Sequence, residues 1–147
     1  MYEQLKIENQ LCVRLYTATR LVIQNYRRFL EPLGLTYPQY IVMMALWERD
    51  NQPVNEIGAR LLLESNTLTP LLKRMEKQGL VVRTHGVADG RRTLVSLTTK
   101  GRRLEEDAKE IPACYAQILQ CRPFNSGEIV QLAHTLDALI NTLRDNR

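Results

Sequence analysis

The stretch SNTLTPLLKRMEKQGLVVRT, residues 65–84, sets a helical pattern directly before a β-type run. Ser65 and Thr67 are common at helix starts, and Gly79 is common at helix ends. Pro70 lies within the first turns, where the loss of an amide hydrogen costs little. Four apolar residues recur at intervals of three and four and predict one buried face: Leu68, Leu71, Leu72 and Met75. The stretch therefore predicts a helix that leads straight into a strand.

A β-hairpin is predicted immediately afterwards. LVVRTH (80–85) and RTLVSLT (92–98) are rich in β-branched residues, and the linker GVADGR contains an Asp-Gly pair that favours a tight turn. Thr98 or Thr99 can then cap a charged helix, which Pro112 could kink or restart. The letters NSGE that follow predict the start of a last amphipathic helix.

Three helices are predicted upstream. From Leu5, apolar residues three or four apart indicate one long helix that stops at PLGLTYP, residues 32–38. QYIVMMALWER is typical of a buried helix, and Pro53 lies in the first turn of a short helix, VNEIGARL. This order of elements predicts a mainly α fold (α+β) with a small β-hairpin wing, which is a winged helix-turn-helix. We expect its lobe to cover residues 38–100 within a single unit, residues 1–147.

Composition indicates one globular domain with an uneven charge. The chain has 147 residues, of which 44% are hydrophobic and 24% charged, as in ordinary soluble domains. Its net charge is +4, yet residues 60–103 carry ten basic side chains against three acidic ones, giving +7 there and −3 elsewhere. Such a basic middle suits a polyanion such as double-stranded DNA, although it could equally be a solvated charged surface.

Neither a membrane span nor a signal peptide is predicted. The longest apolar run, residues 40–47, is too short to cross a bilayer, and charged residues interrupt the N-terminus. We therefore expect a cytoplasmic protein whose three cysteines are free thiols or a transient redox pair. Close cysteine and histidine pairs, glycine-rich phosphate loops and nucleophile elbows are missing from the sequence, so no metal, cofactor or enzyme activity is predicted.

The predicted helix-turn-helix indicates which side chains would meet DNA. In such a unit the N-terminal residues of the second helix enter the major groove, and residues one to two turns on reach phosphates or guanine. A short basic hairpin tip could enter the minor groove, where Asp89 could orient Arg91 by a charge-assisted hydrogen bond. The candidate DNA-binding residues are Ser65, Asn66, Thr67, Thr69, Lys73, Arg74, Asp89, Arg91 and Arg92. Alternatively, Ser65 and Thr67 are plain helix caps and Arg92 is a solvated hairpin residue.

Four motifs resemble the MarR family of winged-helix repressors, and closely its organic-hydroperoxide-sensing (OhrR) subgroup: LTYPQYIVMMALWE, TLTPLLKRMEKQGLVVRT, ADGRR and VSLTTKG. The resemblance covers nearly the whole chain. It implies a homodimer held by helical regions 5–34 and 104–147, with two winged lobes that bind a palindromic operator. The sequence departs from the family at 64–67, with Glu-Ser-Asn-Thr for the usual Asp-Ser-Gly-Thr, and at 89–91, with Asp-Gly-Arg for Asp-Glu-Arg. Those changes could alter base preference.

Cys12 is the residue whose interpretation the resemblance changes. Periodicity alone makes it a small core residue on an apolar helix face, with Tyr16 one turn along the same face. In the subgroup, a cysteine in an NQLC context is the hydroperoxide sensor, and tyrosines matching Tyr26 and Tyr37 hold its sulfur. Tyr16 matches a further family position near the sensor. A phenolic hydroxyl can donate a hydrogen bond to a thiolate without adding charge.

Cys114 and Cys121 are candidates for resolving an oxidised Cys12. Members of the subgroup use either one cysteine with an external thiol or a second cysteine, after the wing, that forms an intersubunit disulfide. Counting from Ile111 and Pro112 places the resolving position between the two cysteines, whereas counting back from NSGE favours Cys121. We expect Cys121 to resolve, and the alternative is that one or both are packing residues.

The resemblance implies a two-state switch. The reduced dimer binds its operator, organic hydroperoxide converts Cys12 to sulfenic acid, a disulfide follows, and shifting helices release the DNA. One alternative keeps the fold but is released by a phenolic or other small aromatic ligand. The other is a thiol peroxidase built on Cys12.

Overall fold

The computed structural model describes residues 2–85, 92–120 and 125–146, and the chain divides into two compact units, residues 1–109 and residues 110–147. The predicted mainly helical fold with a small sheet is confirmed. The described elements are α1 (Leu11–Leu30), α2 (Tyr37–Glu48), β1 (Gln52–Pro53), α3 (Val54–Leu61), α4 (Ser65–Lys77), β2 (Val81–His85), β3 (Thr93–Leu97), α5 (Thr99–Ala108), α6 (Ile111–Gln120) and α7 (Ser126–Asp145).

The N-terminus differs from the predicted long helix. Residues before α1 form two 3-10 turns, Glu3–Leu5 and Ile7–Asn9, so the helix starts at Leu11 and not at Leu5. The amides of Asn9 and Gln10 donate to the carbonyls of Glu3 (2.9 Å) and Gln4 (2.5 Å). These local side-chain bonds offer the backbone an alternative to the helix, which explains the later start.

The predicted break after α1 is confirmed. A 3-10 turn, Glu31–Leu33, ends at Gly34, whose φ of +68° is easiest for glycine. Thr36 then caps α2: its hydroxyl accepts from the Gln39 backbone N–H, and the Gln39 side chain accepts from the Thr36 backbone N–H. This capping box fixes the direction in which α2 leaves the turn.

The helix-turn-helix consists of α3 and α4, which pack on α2. Pro53 is the N-cap of α3, not a first-turn residue, because Gln52 and Pro53 pair with β3 and add a third strand in the order β1-β3-β2. Glu64 is the N-cap of α4, and its carbonyl accepts from the N–H groups of Thr67 and Leu68. Plain capping by Ser65 and Thr67 is therefore wrong, since both lie inside the helix.

The end of α4 and the two strands of the hairpin follow the prediction, whereas the predicted Asp-Gly turn lies outside the described residues. Gly79 has φ of +71°, and the N–H groups of Gly79 and Leu80 donate to the carbonyls of Glu76 (2.9 Å) and Met75 (3.0 Å). This pair of hydrogen bonds closes the helix and turns the chain into β2. Strands β2 and β3 pair antiparallel from Val81 opposite Leu97 to His85 opposite Thr93.

The core of the first unit lies between the helix-turn-helix and the sheet. Its fully buried apolar side chains include Val42, Met43, Leu46, Ile57, Leu68, Leu72, Met75, Val81 and Val95. Full burial of one such side chain is worth about 1.5–3 kcal/mol. Gly101 brings α5 against this core, because a Cβ there would lie 2.2 Å from the Leu80 carbonyl oxygen.

The second unit contains α6 and α7. Helix α6 starts at Ile111 with Pro112 in its first turn, so Pro112 restarts a helix, as one predicted option had it. Asn125 and Glu128 form a capping box at the start of α7. No residue described in α7 is buried. Across the described ranges, no helix combines the length and apolar character needed to cross a membrane.

Asp50 connects the end of α2 to β3 and α5. One carboxylate oxygen accepts from the backbone N–H groups of Leu97 (2.8 Å) and Asn51 (2.7 Å), and the other accepts from Nη2 of Arg102 (2.6 Å). Burial raises the pKa of Asp50, but these three hydrogen bonds and the Arg102 charge outweigh burial and lower the pKa below 3.8. The ionised carboxylate is thus the form that the fold selects.

We expect Asp50→Asn to weaken the acid sensitivity of folding. A carboxyl whose pKa is lowered in the folded protein stabilises it above the unfolded-state pKa of about 4, and that contribution is lost as pH falls through the folded pKa. Urea unfolding at fixed protein concentration, from pH 6 downwards, should show a shallower loss of unfolding free energy for Asp50→Asn than for wild type. The exposed Asp107→Asn is the control. An equally steep loss in both variants would contradict the role of Asp50.

Candidate redox site and DNA-binding surface

Cys12 is the second residue of α1, and its side chain is exposed. The turn before it is fixed from within the chain, because Arg14 donates through Nη1 to the Gln10 carbonyl (3.0 Å) and through Nη2 to the Glu8 carbonyl. The interpretation of Cys12 as a buried packing residue is wrong for the single chain. An exposed thiol in the first turn of a helix is accessible to an oxidant.

Tyr16 lies one helical turn from Cys12, as predicted, and its side chain is 70% exposed. Tyr26 is fourteen residues from Cys12 on the same helix. At a rise of 1.5 Å per residue, the two are about 21 Å apart along the axis. The single chain therefore does not bring Cys12 and Tyr26 together.

Tyr26 instead belongs to an aromatic cluster at the other end of α1. Its ring centroid is 5.0 Å from that of Tyr37 and 6.0 Å from that of Tyr40, both on α2. Tyr40 continues the cluster to Trp47, with ring centroids 6.3 Å apart. The Tyr26 and Tyr37 rings meet edge to face, the arrangement that aromatic quadrupoles favour.

The hydroxyls of Tyr37 and Tyr40 are held in their neutral form. Burial raises the pKa of Tyr37, and burial together with the nearby Tyr37 raises the pKa of Tyr40. Both phenols therefore stay protonated at neutral pH and can donate hydrogen bonds to an anion. Tyr40 lies three residues after Tyr37 on the same helix face, so the sequence spacing predicts that the two rings lie together.

The two other cysteines differ in what the structure describes. Cys114 lies on α6 and is exposed, and like Cys12 it forms no disulfide. Cys121 lies outside the described residues. In the described parts of the chain, no three histidine, cysteine or carboxylate side chains come together as metal ligands.

Helix α4 presents the predicted polar face. Ser65, Asn66 and Thr67 in its first turn are exposed and Thr69 is half-buried, while Lys73 and Arg74 are exposed further along. The opposite face of α4 is buried through the four predicted apolar residues, Leu68, Leu71, Leu72 and Met75. The helix therefore anchors one face in the core and leaves its hydrogen-bonding face outward.

A polar cavity of about 320 Å³ lies between α4, α3 and the base of the wing. Ser65 and Thr69 line it on the α4 side, and Arg83 and Arg92 line it on the wing side. Arg92 is exposed, whereas Asp89 and Arg91 lie outside the described residues. The helix and the wing thus face the same concave surface with hydroxyl and guanidinium groups.

Glu76 and Arg83 form an ion pair that the sequence analysis missed. The Glu76 carboxylate accepts from the backbone N–H (3.0 Å), Nε (3.1 Å) and Nη2 (2.9 Å) of Arg83. The backbone bond, followed by the side-chain bonds, lowers the pKa of Glu76. The pair joins α4 to β2 across the turn at Gly79. Two residues seven apart across a helix end carry no periodic signal, which is why the pattern did not indicate them.

Comparison with known proteins places this arrangement in a family. The model of the transcriptional regulator SarA/Rot family matches residues 24–108. The organic hydroperoxide resistance transcriptional regulator of Bacillus subtilis is 41% identical over 142 residues, covering 97% of this chain and 95% of that protein. The chain belongs to the MarR family of winged-helix transcriptional regulators. The match also confirms the resemblance to the organic-hydroperoxide-sensing subgroup.

Solved structures support the assignment of this MarR-family regulator. Reduced AbfR bound to DNA has a TM-score of 0.81 at 37% identity, covering 97% of this chain and 96% of AbfR. AbfR in its disulfide form has a TM-score of 0.65 at 39% identity, covering 94% and 95%. AbfR is a protein of Staphylococcus epidermidis. The regulator thus resembles a protein solved both with DNA and with a disulfide.

Proposed function

We propose that this chain is a redox-responsive, DNA-binding transcriptional repressor whose sensor is Cys12 and whose signal is an organic hydroperoxide. The observation that carries the proposal is the exposed Cys12 thiol in the first turn of α1. The similarity to an organic hydroperoxide resistance regulator and to AbfR supports it. Such a repressor acts on the chromosome, and therefore in the cytoplasm.

The exposed apolar side chains of the chain support a homodimer. Leu11 is 61% exposed and Leu143 60%, and α7 buries none of its described residues. Several large apolar side chains left exposed on one helix favour contact with another chain. The exposed apolar residues of α1 and α7 are Leu11, Val13, Tyr16, Leu21, Val130, Leu132, Ile140 and Leu143. These lie within the predicted dimerisation regions, 5–34 and 104–147.

The separation along α1 indicates how the tyrosines reach the sensor. About 21 Å of helix keeps Tyr26 from the Cys12 of its own chain. An antiparallel crossing of two α1 helices would instead bring Cys12 of one chain to the tyrosine cluster of the other. We therefore place Tyr26 and Tyr37 of the partner subunit at the Cys12 sulfur, with Tyr16 of the sensor's own chain beside them.

The chemistry at Cys12 proceeds in two balanced steps. The thiolate attacks the outer oxygen of ROOH, the O–O bond breaks, and the alkoxide takes a proton to leave as ROH, so the sulfur becomes a sulfenic acid. A second thiol then attacks that sulfur, a disulfide forms, and water leaves. Protonated Tyr37 stabilises negative charge on sulfur or oxygen before and after the first step. The second thiol is Cys121 of the partner subunit, with Cys114 or a small thiol as the alternatives.

DNA binding is assigned to the face of α4 and to the wing. Ser65, Asn66, Thr67 and Thr69 are placed for base edges in the major groove, and Lys73 and Arg74 for phosphates or guanine. Asp89, Arg91 and Arg92 belong to the wing in this proposal. Two lobes in a dimer match the half-sites of a palindromic operator. Oxidation changes the spacing of the lobes, and affinity falls.

A second candidate signal is a phenolic or other small aromatic ligand. A cavity of about 220 Å³ lies between the end of α1 and the start of α2, lined by Ile23, Arg27, Leu35 and Tyr37 among others. Its walls are mostly apolar, and the charges of Arg27 and Glu31 at its lining offset each other, which suits a small neutral aromatic ligand such as a phenol. Release of DNA by such a ligand would not need Cys12.

Cys12→Ser is expected to remain bound to DNA when an organic hydroperoxide is added, because it has no thiolate to oxidise. Gel shifts on wild type, Cys12→Ser, Cys114→Ser and Cys121→Ser measure release, and non-reducing electrophoresis identifies which variants lose the crosslinked dimer. Release of Cys12→Ser by hydroperoxide would refute the thiol switch. Sustained peroxide turnover by wild type with a thiol reductant would indicate a peroxidase instead.

The position of Tyr37 is tested with mixed dimers. Tyr37→Phe is expected to slow Cys12 oxidation about tenfold, the cost of a hydrogen bond to a charged group. In a mixed dimer of a Cys12→Ser chain and a Tyr37→Phe chain, the remaining Cys12 faces an intact Tyr37 of the partner subunit and should react at the wild-type rate. A wild-type chain paired with a doubly substituted chain is the matched control and should react slowly. Oxidation is followed by alkylating the remaining thiol. The reverse pattern of rates would place Tyr37 and Cys12 of the same chain together.

Lys73→Ala should weaken specific and non-specific DNA binding together and reduce the slope of log affinity against log salt by about one, because one phosphate contact is lost. Lys6→Ala, which removes the same charge from the N-terminal turn, should leave the slope unchanged. Fluorescence anisotropy over a salt series measures both. An unchanged slope in Lys73→Ala would remove Lys73 from the DNA contact.

A further inference from the structure

A chain of side-chain amides joins the turn before α2 to the end of α4. Nε2 of Gln39 donates to Oε1 of Gln78 (2.9 Å), and Nε2 of Gln78 donates to the Gly34 carbonyl (3.2 Å). Oε1 of Gln39 accepts from the Thr36 backbone N–H (3.0 Å). Both ends of each amide are therefore engaged, and the 34–36 turn is tied to α4 at two points.

Gln39 is the buried member of this chain of bonds, with 3% of its surface exposed. A buried amide that loses its partner costs more than a broken bond in water, so the Gln39–Gln78 contact resists separation. Donor–acceptor distances in such hydrogen bonds are about 2.7–3.2 Å, and a contact of about 3.6 Å no longer counts as one. A displacement of the turn by about 1 Å must either carry Gln78 along or break the chain of bonds.

Gln78 is the C-cap of α4 and a junction of three elements. Its carbonyl accepts from Nζ of Lys100 on α5 (2.8 Å), and the carbonyl of the next residue, Gly79, accepts from the Thr98 hydroxyl (2.6 Å). The end of α4 is thus held by α5 on one side and by the amides on the other. A displacement of the Gln78 side chain therefore acts directly on the C-terminal end of α4, which these hydrogen bonds hold in place.

Tyr37 begins α2 directly after Thr36, so the amides and the aromatic cluster share one turn. We propose that Gln39 and Gln78 are positioning residues that couple the oxidation state of Cys12 to the orientation of α4. This proposal rests on the proposed function, in which Tyr37 contacts the Cys12 sulfur of the partner subunit. When oxidation displaces Tyr37, the turn moves, and the two amides pass that movement to the end of the recognition helix.

Two variants break the link without touching the sulfur or the DNA-binding face. Gln78→Met keeps the length of an exposed side chain and removes both of its hydrogen bonds, and Gln39→Leu removes the buried partner. Lys77→Met, which introduces the same new side chain one residue earlier, is the control. The probe is a duplex selected from random-sequence DNA by the reduced wild-type protein. Its Kd is measured with reduced protein and after one equivalent of cumene hydroperoxide.

In wild type and Lys77→Met the ratio of oxidised to reduced Kd should be equally large. In Gln78→Met and Gln39→Leu that ratio should fall by about threefold or more, the size of coupling changes seen along such networks. The Kd of the reduced forms should change far less. The double variant should lose no more than the larger single effect, because both substitutions break one link.

An unchanged ratio in Gln78→Met overturns the coupling, as does an equal loss of affinity in both redox states, which is the result of a purely structural role. Gln78→Met decides the question alone if Gln39→Leu does not fold. Failure of the proposed function is distinguishable, because hydroperoxide would then release Cys12→Ser as well. If Cys12→Ser stays bound and the ratio of oxidised to reduced Kd in Gln78→Met matches wild type, Cys12 is still supported as the sensor and only the coupling through the amides is refuted.

Discussion

The stiffness of α1 is the constraint on which the proposed mechanism depends. A continuous helix keeps the exposed Cys12 and Tyr26 about 21 Å apart along its axis, and Tyr37 packs beside Tyr26 from α2. No side-chain rotation can close that gap. A sensor that uses both groups therefore requires two chains, and in the proposed dimer the exposed apolar residues of α1 and α7 would form the contact between them. In the proposed mechanism, oxidation of Cys12 therefore depends on dimerisation.

The DNA-binding lobe depends on different forces. Its position is set by the buried face of α4, by the close approach of Gly101 to Leu80, and by the carboxylates of Asp50 and Glu76, which hold neighbouring segments through several hydrogen bonds each. These contacts leave the polar face of α4 and Arg92 outward. The amides of Gln39 and Gln78 link this lobe to the α1–α2 turn.

The sequence predicted the parts of the fold that follow a period or a local signal. The apolar spacing of Leu68 to Met75, the glycine at 79 and the Asn125 capping box all gave correct boundaries. The start of α1 was wrong because local bonds from Asn9 and Gln10 compete with the helix, and β1 was missed because two residues show no alternation. The same distinction applies to the candidate site. The polar residues on α4 follow helical spacing and could be predicted. The Glu76–Arg83 pair and the Gln39–Gln78 hydrogen bond could not, because only tertiary packing brings those residues together.

The Glu76–Arg83 pair also changes how the basic middle of the chain acts at a distance. Glu76 lies beside Arg83 and cancels its field within a few ångströms, so Arg83 adds little to the long-range potential felt by an approaching polyanion. The salt dependence of association will then reflect fewer cations than the ten that the sequence contains in residues 60–103. Arg83 joins β2 to α4 within the lobe. The rate of association with DNA is set by the basic side chains that are not in such ion pairs.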